Sequence, residues 1–182
     1  MSTQEEKIQE TIQVLLYIIH KVGGQADFHK IFKILYFADK KHLANFGRFI
    51  SGDKYIAMKD GPVPSIAYDI LKALREEGFL SNFKKEMESY FELMSDYKVK
   101  AKREPDLDEL SQSEIDCINE SIEKNAELKF SRLKNKSHDS AWKKVIRDCE
   151  MNIKDIAEAE GANKYMIEYI NEKIENQNAD FE

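Results

Sequence analysis

The most informative stretch of the chain is GRFISGDKYIAMKDGPVPS, which occupies positions 47–65. Three of the 7 glycines and two of the 3 prolines of the sequence lie between positions 47 and 64. Glycine allows backbone angles that other residues avoid, and proline fixes its own φ, so this composition is typical of a shaped loop rather than a flexible one. Within this loop, the segment Lys54–Met58 is expected to be short and extended.

Two amphipathic helices are predicted before this loop. Apolar residues recur at helical spacing from Ile8 to Val22, and Gly23-Gly24 follows as a stop signal. Asp27 is placed to cap a second helix, whose apolar residues recur at steps of three and four until about Phe46. The loop is therefore expected to connect a long amphipathic helix with the helix that follows it.

A third helix and a β-hairpin are predicted beyond the loop. The helix begins at Pro64 or Ser65 and stops at Gly78. In the second half of Tyr90–Ala101, apolar and charged residues alternate, which predicts a hairpin with its turn near Met94–Asp96. Two strands alone are marginally stable, so this hairpin must pack on helices.

The second half of the chain, which begins at Pro105, is predicted to be helical. Ser111–Glu114 has the sequence of a capping box. Shorter helices are expected at 130–133 and 141–148, and residues 153–178 are predicted to form a short helix, a turn at Gly161 and a longer last helix. The predicted fold class is mainly α (α+β), a compact helical domain with a small β-hairpin and a C-terminal helical hairpin. We expect a single domain over 1–182, with an N-terminal part at 3–104 and a C-terminal part at 105–178.

Composition argues against several classes of protein. The 28 basic residues against 34 acidic ones give a net charge of -6, which makes nucleic acid an unlikely partner. No stretch approaches the roughly 20 apolar residues of a membrane span, and the first ten residues are polar, unlike a signal peptide. Cys117 and Cys149 fit no CxxC pair and no disulfide framework. These features predict a cytoplasmic protein with reduced thiols and no membrane partner.

No motif of the chain points to catalysis. The four histidines are not spaced as zinc ligands, and no P-loop, GxSxG or GxGxxG string is present. We therefore expect a protein that is not an enzyme and needs no metal or cofactor. A weaker alternative is an enzyme that uses Asp39, Asp53 and His138, which would have to converge in a pocket. His138 lies four residues before Trp142, and on a helix the two would share a face, with capping or packing favoured over catalysis.

The charges of the C-terminal region leave several interpretations open. Ala157, Gly161 and Ile167 follow the helix-turn-helix pattern of a small residue, a turn glycine and a buried aliphatic residue. However, nine acids and three lysines lie between 150 and 182, a net charge of -6, which DNA phosphates would repel. Positions 129–147 instead carry seven basic residues and one acid, a net +6. This basic segment is a solvated helical face, a docking patch for an acidic partner or a cover for the acidic C-terminal arm.

Four motifs of the chain resemble the Panacea domain family, the SocA-like antitoxins that are also known as phage-associated GepA-like proteins. The resemblance extends over about Ile12–Ile170, and Lys33–Leu74 is its most specific part. Phe49 stands where family members often carry a proline after Gly-Arg. The motifs, in family order, are LYFAD at 35–39, GDKYIAM at 52–58, GPVPS at 61–65, and Ser137-His138 with Ala141-Trp142.

The resemblance implies a mostly helical domain that acts as an antitoxin of a bacterial toxin-antitoxin system. Its partner would be a cognate protein toxin, which it neutralises by direct binding in the cytoplasm, and also a protease if it acts as a proteolytic adaptor. The alternative is a DNA-binding transcriptional (auto)regulator that uses the C-terminal hairpin. The tyrosines and acids of Lys33–Leu74 either satisfy loop amides as a structural corner or form or support a toxin-facing groove. The residues predicted for partner binding or for the motif itself are Tyr36, Asp39, Gly52, Asp53, Tyr55, Met58, Gly61, Pro62, Pro64, Tyr68, His138 and Trp142.

Overall fold

The computed structural model describes residues 3–179, in which nine α-helices surround two small β-sheets. The predicted fold class is confirmed, whereas positions 1–2 and 180–182 of the predicted domain lie outside the described residues. The helices are α1 (Gln4–Lys21), α2 (Phe28–Phe46), α3 (Ser65–Ala73), α4 (Lys84–Tyr90), α5 (Gln112–Asn125), α6 (Phe130–Ser137), α7 (Ser140–Lys143), α8 (Ile153–Ala159) and α9 (Lys164–Ala179). The strands are β1 (Gln25–Asp27), β2 (Tyr55–Met58), β3 (Gly61–Pro64), β4 (Phe91–Ser95) and β5 (Lys98–Ala101).

The second helix is the central element of the fold, because 12 of its 19 residues are buried. One side packs, through residues such as Ile31 and Leu35, into a core shared with α1, α3 and α5. The opposite side, through Tyr36 and Leu43, packs into a second core shared with β2, α7, α8 and α9. A helix that is buried on both sides carries apolar residues beyond a single stripe, and its buried polar residues Lys33, Asp39, Lys40 and His42 must find partners inside the protein.

The predicted hairpin of residues 90–101 is present and has a third strand. The strand β5 pairs antiparallel with β4 on one side and with β1 on the other, with Ala26 opposite Val99. Val99 and Phe91 are fully buried, so one face of this sheet lies on the helical core, as the marginal stability of two strands requires. The three-residue strand β1 was not predicted, because it is too short to show a period of two.

The glycine- and proline-rich stretch is more regular than a shaped loop. Its strands β2 and β3 form an antiparallel hairpin in which Tyr55 pairs with Pro64 and Met58 with Gly61. The outer edge of β2 is covered by residues 148–151, through a bridge between Ile56 and Glu150. The predicted extended segment at Lys54–Met58 is therefore correct, and the partner strand over the prolines was missed.

Several helix boundaries differ from the sequence prediction. The helix α4 was not predicted, the helix expected at 130–133 extends to Ser137, and the helix expected at 141–148 is the single turn Ser140–Lys143. Asp27 occupies the N-cap position of α2, but its side chain accepts no hydrogen bond from the N–H groups of the first turn. At α5, the Glu114 carboxylate accepts a hydrogen bond from the Ser111 backbone N–H at 2.7 Å, in agreement with the predicted capping box.

The C-terminal helical hairpin is present and packs against the end of α2. The helices α8 and α9 are joined by a turn at Gly161, and Ile170 of α9 is buried in the second core. Gly47, which ends α2 in a left-handed conformation with φ of 70°, lies directly beneath the Tyr169 ring of α9. Among residues 3–179, none of the helices combines the length and the apolar character that a membrane crossing would require.

We expect Gly47→Ala to destabilise the protein more than Gly52→Ala. Both glycines have a positive φ, which costs an alanine about 1 kcal/mol. A Cβ at Gly47 would also overlap the Tyr169 ring, whereas a Cβ at Gly52 would meet no atom within 4 Å. Overpacking adds about 1–3 kcal/mol to the loss at Gly47. Urea unfolding of the two variants measures the difference, and equal losses would show that α9 does not pack on Gly47.

Candidate functional site

Asp39 is the buried centre of the predicted site. Its Oδ1 accepts hydrogen bonds from the backbone N–H groups of Ile50 and Ser51, at 2.6 and 3.2 Å. Its Oδ2 accepts from the Ser51 hydroxyl at 2.7 Å and from the Tyr55 hydroxyl at 2.6 Å. Burial raises the pKa of Asp39, and these four hydrogen bonds oppose that rise. This cluster of Asp39, Ser51 and Tyr55, the Asp39 hub, ties α2 to the loop and to β2.

Asp53 ties the loop to α3, the helix that follows the β2–β3 hairpin. The residue at the N-cap position of α3 is Pro64, which has no side-chain oxygen to offer. Asp53 instead accepts hydrogen bonds from the backbone N–H groups of Ile66 at 2.9 Å and Ala67 at 3.0 Å, and also from that of Lys54. Burial raises the pKa of Asp53 to about 6, although all three N–H groups favour its charged form.

Asp139 connects α2 with the corner between α6 and α7. The Asp139 carboxylate accepts hydrogen bonds from the Tyr36 hydroxyl at 2.9 Å and from the Lys40 ammonium at 3.0 Å. It also accepts one from the Trp142 backbone N–H, which caps α7. Lys40 in turn pairs with Glu160, the residue that follows α8, at 3.1 Å. The corner is thus held at a fixed distance from α2.

The pair His138 and Trp142 stacks across this corner. Their rings are parallel within 2° at a centroid distance of 3.6 Å. His138 ends α6 and Trp142 belongs to α7, so the two rings meet across a corner and not along one helix, as the spacing suggested. The Trp142 indole N–H donates to the Met58 carbonyl at 3.0 Å. The pair therefore packs the corner against the tip of the β2–β3 hairpin.

The other side of the hairpin rests on a buried lysine. The Lys33 ammonium donates to the Pro62 carbonyl at 2.7 Å and is almost fully buried. A Cβ at Gly61 would lie 2.3 Å from the Ser137 hydroxyl, so only glycine fits between α2 and α6. Burial lowers the pKa of Lys33 to about 7, and Asp60 opposes this effect.

The structure divides the predicted site residues into two groups. Tyr36, Asp39, Asp53 and Tyr55 are buried, so their side chains do not lie at the surface, and of the two predicted roles, forming or supporting a groove, only support is open to them. The two tyrosine hydroxyls donate to the carboxylates of Asp139 and Asp39. The carboxylates of Asp39 and Asp53 accept from backbone N–H groups of the loop and of α3, so all four side chains have partners inside the protein. Gly61, Pro62 and Pro64 are buried as well, whereas Gly52 is exposed and Met58, Tyr68, His138 and Trp142 are half-buried.

These contacts hold in place the exposed tip of the β2–β3 hairpin and the aromatic residues around it. Two cavities of about 310 and 440 Å³ flank the tip and share Phe28, His29, Asp60 and Tyr97 in their walls. Tyr97 is 61% exposed and Phe130 is 53% exposed. We define the hairpin-tip surface as His29, Met58, Lys59, Asp60, Tyr68, Tyr97, Phe130 and Arg147.

The rings of the hairpin-tip surface are supported by neighbouring side chains. The Phe130 ring lies 4.0 Å from that of His29, whose pKa burial lowers to about 4, so His29 is neutral at pH 7. The Arg75 guanidinium lies 4.9 Å from the Tyr97 ring. Sequence reasoning missed Tyr97 and Phe130. In the sequence, each of these large aromatic residues lies among polar residues: Tyr97 follows Asp96 at the turn, and Phe130 follows Lys129.

The basic segment and the acidic C-terminal arm contact each other in part. Lys144 pairs with Asp155 at 2.5 Å and with Glu158 at 3.4 Å, as expected of a cover for the acidic arm. Lys134 instead pairs with Asp60 of the hairpin tip at 2.7 Å. On α9, Tyr165, Glu168 and Glu172 are exposed, so this helix presents to solvent the acids that disfavour contact with DNA phosphates.

The three residues of the enzymatic alternative belong to separate sets of contacts. Asp39 binds the loop, Asp53 binds the start of α3, and His138 stacks on Trp142. Within residues 3–179, no three histidine, cysteine, aspartate or glutamate side chains are grouped as ligands for a metal ion.

Comparison with known proteins gives one match. A family model described as "Antitoxin SocA-like, Panacea domain" matches residues 31–143 of the chain. The match includes all twelve predicted site residues, the Asp39 hub and the rings of Tyr97 and Phe130. No curated protein and no solved structure was found to match.

We expect the free energy of unfolding to rise between about pH 7 and pH 9 because of Lys33. The folded pKa of about 7 lies below the ordinary value of 10.5, so the unfolded chain binds more protons in this range. The gain is on the order of 1 to 2 kcal/mol, and it is lost as the pH falls through 7. Urea unfolding across this range measures it.

Lys33→Met should flatten this pH dependence. The matched control is Lys30→Met on the same helix, because the Lys30 ammonium also donates to a carbonyl, that of Ala126, but is only half-buried. The control should keep the pH dependence of the unmodified chain. If the free energy of unfolding of Lys33→Met still rises over this pH range, another group causes the rise.

Proposed function

The chain belongs to the family of SocA-like antitoxins with the Panacea domain, since the family model matches more than half of it, and from this we propose that it neutralises a cognate toxin protein by direct binding. The proposed activity needs no catalysis, metal or cofactor, and its proposed place is the bacterial cytoplasm. The single observation that carries the proposal at the level of residues is the hairpin-tip surface, an exposed aromatic patch around the tip of the β2–β3 hairpin.

The composition of the hairpin-tip surface supports a protein partner. Tyrosine, tryptophan and arginine dominate the binding energy of protein interfaces, and this surface offers Tyr68, Tyr97, Phe130 and Arg147. The two flanking cavities can accept side chains of a partner. An interface of about 1,600 Å² in total is the ordinary size for a stable complex, and it would extend beyond this surface onto its neighbours.

The fixed position of the surface also supports binding. A partner that meets ordered side chains loses less conformational entropy than one that must order them. The tip is held from two sides, by Trp142 through the Met58 carbonyl and by Lys33 through the Pro62 carbonyl. The charged residues at its rim, Lys59, Asp60 and Arg147, provide the polar border that protein interfaces show.

The test is coexpression of the chain with the toxin encoded by the neighbouring reading frame. We expect growth to be restored and the two proteins to co-purify. The variant Tyr97→Ala/Phe130→Ala should lose rescue, because two anchor rings of this kind contribute on the order of 2–4 kcal/mol, or roughly 30- to 1,000-fold in affinity.

The matched control is Phe79→Ala/Tyr165→Ala, which also removes one exposed phenylalanine and one exposed tyrosine. Both control rings are 78% exposed and lie outside the hairpin-tip surface. Circular dichroism establishes that both double variants fold. Absence of rescue and of co-purification with the unmodified chain would contradict the antitoxin function. Loss of rescue in the control but not in Tyr97→Ala/Phe130→Ala would contradict the choice of surface.

A further inference from the structure

Besides the two cavities that flank the hairpin tip, a polar cavity lies between α2, α5 and α6. Its volume is about 260 Å³. Phe37 forms an apolar part of its wall, and Cys117 and Asn125 also line it. We define the lysine pocket by its charged residues, which are Lys40, Lys41, Lys124, Lys136, Glu120 and Glu160.

The two glutamates of the lysine pocket are already paired with three of its lysines. Glu120 contacts Lys124 and also lies 3.7 Å from Lys41. Glu160 lies 3.1 Å from Lys40. The Lys40 ammonium also lies 3.0 Å from the Asp139 carboxylate, which does not line the cavity. Four ammonium groups therefore have three carboxylate partners, which leaves an excess of one positive charge.

Lys136 contributes most clearly to this excess. Its ammonium donates to the Asn125 side-chain oxygen at 2.6 Å and lies 4.7 Å from the centre of the Phe37 ring. Both partners are neutral. Partial burial lowers the pKa of Lys136, and the nearby charge of Lys124 lowers it further. An anion in the cavity would relieve that repulsion and neutralise the excess charge.

We propose that the lysine pocket binds a small phosphorylated ligand. Each lysine ammonium offers three donors as a compact point charge, which suits a negatively charged group with several oxygens. A phosphate group has more oxygens than a carboxylate, so it can accept hydrogen bonds from more of these ammonium groups at once. The concave shape and small volume favour a free ligand over the phosphates of a nucleic-acid duplex, and the Phe37 ring offers an apolar face to the rest of the molecule.

The first experiment is calorimetric titration with inorganic phosphate, pyrophosphate and ATP at constant ionic strength, since added salt screens such binding. We expect at least one of the three to bind the full chain. Binding should weaken on the order of tenfold or more in Lys136→Gln, because one charge-assisted contact is lost. Equal binding of pyrophosphate and ATP would assign recognition to the phosphates, and binding of ATP alone would identify a nucleotide ligand.

The matched control is Lys85→Gln, which removes one positive charge from an exposed position on α4, away from the pocket. It changes the net charge by the same amount, so a nonspecific loss of attraction would appear equally in both variants. We expect the affinity of Lys85→Gln to remain that of the unmodified chain. Absence of binding by all three probes, or equal weakening in both variants, would overturn the proposal.

A second measurement locates the ligand. Cys117 lines the pocket and is only 6% exposed, so its thiol reacts slowly, whereas Cys149 is exposed elsewhere. In a Cys149→Ser background, Cys117 is the one thiol of the chain. The ligand that binds by calorimetry should slow modification of Cys117 by a small methanethiosulfonate reagent, and Lys136→Gln should abolish this protection. Calorimetric binding without protection of Cys117 would place the ligand outside the lysine pocket and overturn the assignment.

Discussion

The fold around the candidate site depends on one buried carboxylate. Asp39 lies on the central helix and accepts four hydrogen bonds from Ile50, Ser51 and Tyr55, so the loop and the hairpin cannot move relative to α2 without breaking them. Removing one partner of such a buried network leaves the others without hydrogen bonds, which costs far more than each bond contributes to the folded state. The motif residues that looked like a binding site are, in this view, the support that gives a neighbouring surface its shape.

Because the motif residues support the surface from inside, the motif and the proposed hairpin-tip surface do not coincide. Tyr36 and Tyr55 belong to the Lys33–Leu74 segment, but their hydroxyl groups donate to Asp139 and Asp39 inside the protein. Tyr97 and Phe130 lie in ordinary polar sequence and are exposed.

Much of the architecture followed from the sequence, and the part that did not has identifiable causes. The helical repeats of α1, α2 and α5 are long enough to determine those elements, and Gly47 and Gly161 indicated where two of the helices end. Pro62 and Pro64 concealed β3, because proline lowers the expectation of a strand although an edge of a two-stranded sheet accepts it. Burial of the tyrosines could not be predicted, because a tyrosine is equally suited to an interface and to a buried hydrogen bond, and only the position of Asp39 and Asp139 decides between them. The lysine pocket brings together residues from α2, α5 and α6, and no local pattern reveals such a convergence.

The central claim is that the Asp39 hub holds the hairpin in place, and hydrogen exchange of Asp39→Ala tests it most directly. The amides of Tyr55–Gly61 should lose protection by on the order of 100-fold, while those of α5 keep theirs, because local opening exposes only the segment that lost its support. Ser121→Ala is the control, because the Ser121 hydroxyl of α5 donates to the Ile34 carbonyl of α2, the helix that also carries Asp39, without touching the hairpin. Unchanged protection of Tyr55–Gly61 in Asp39→Ala, or an equal loss there and in α5, would contradict the account.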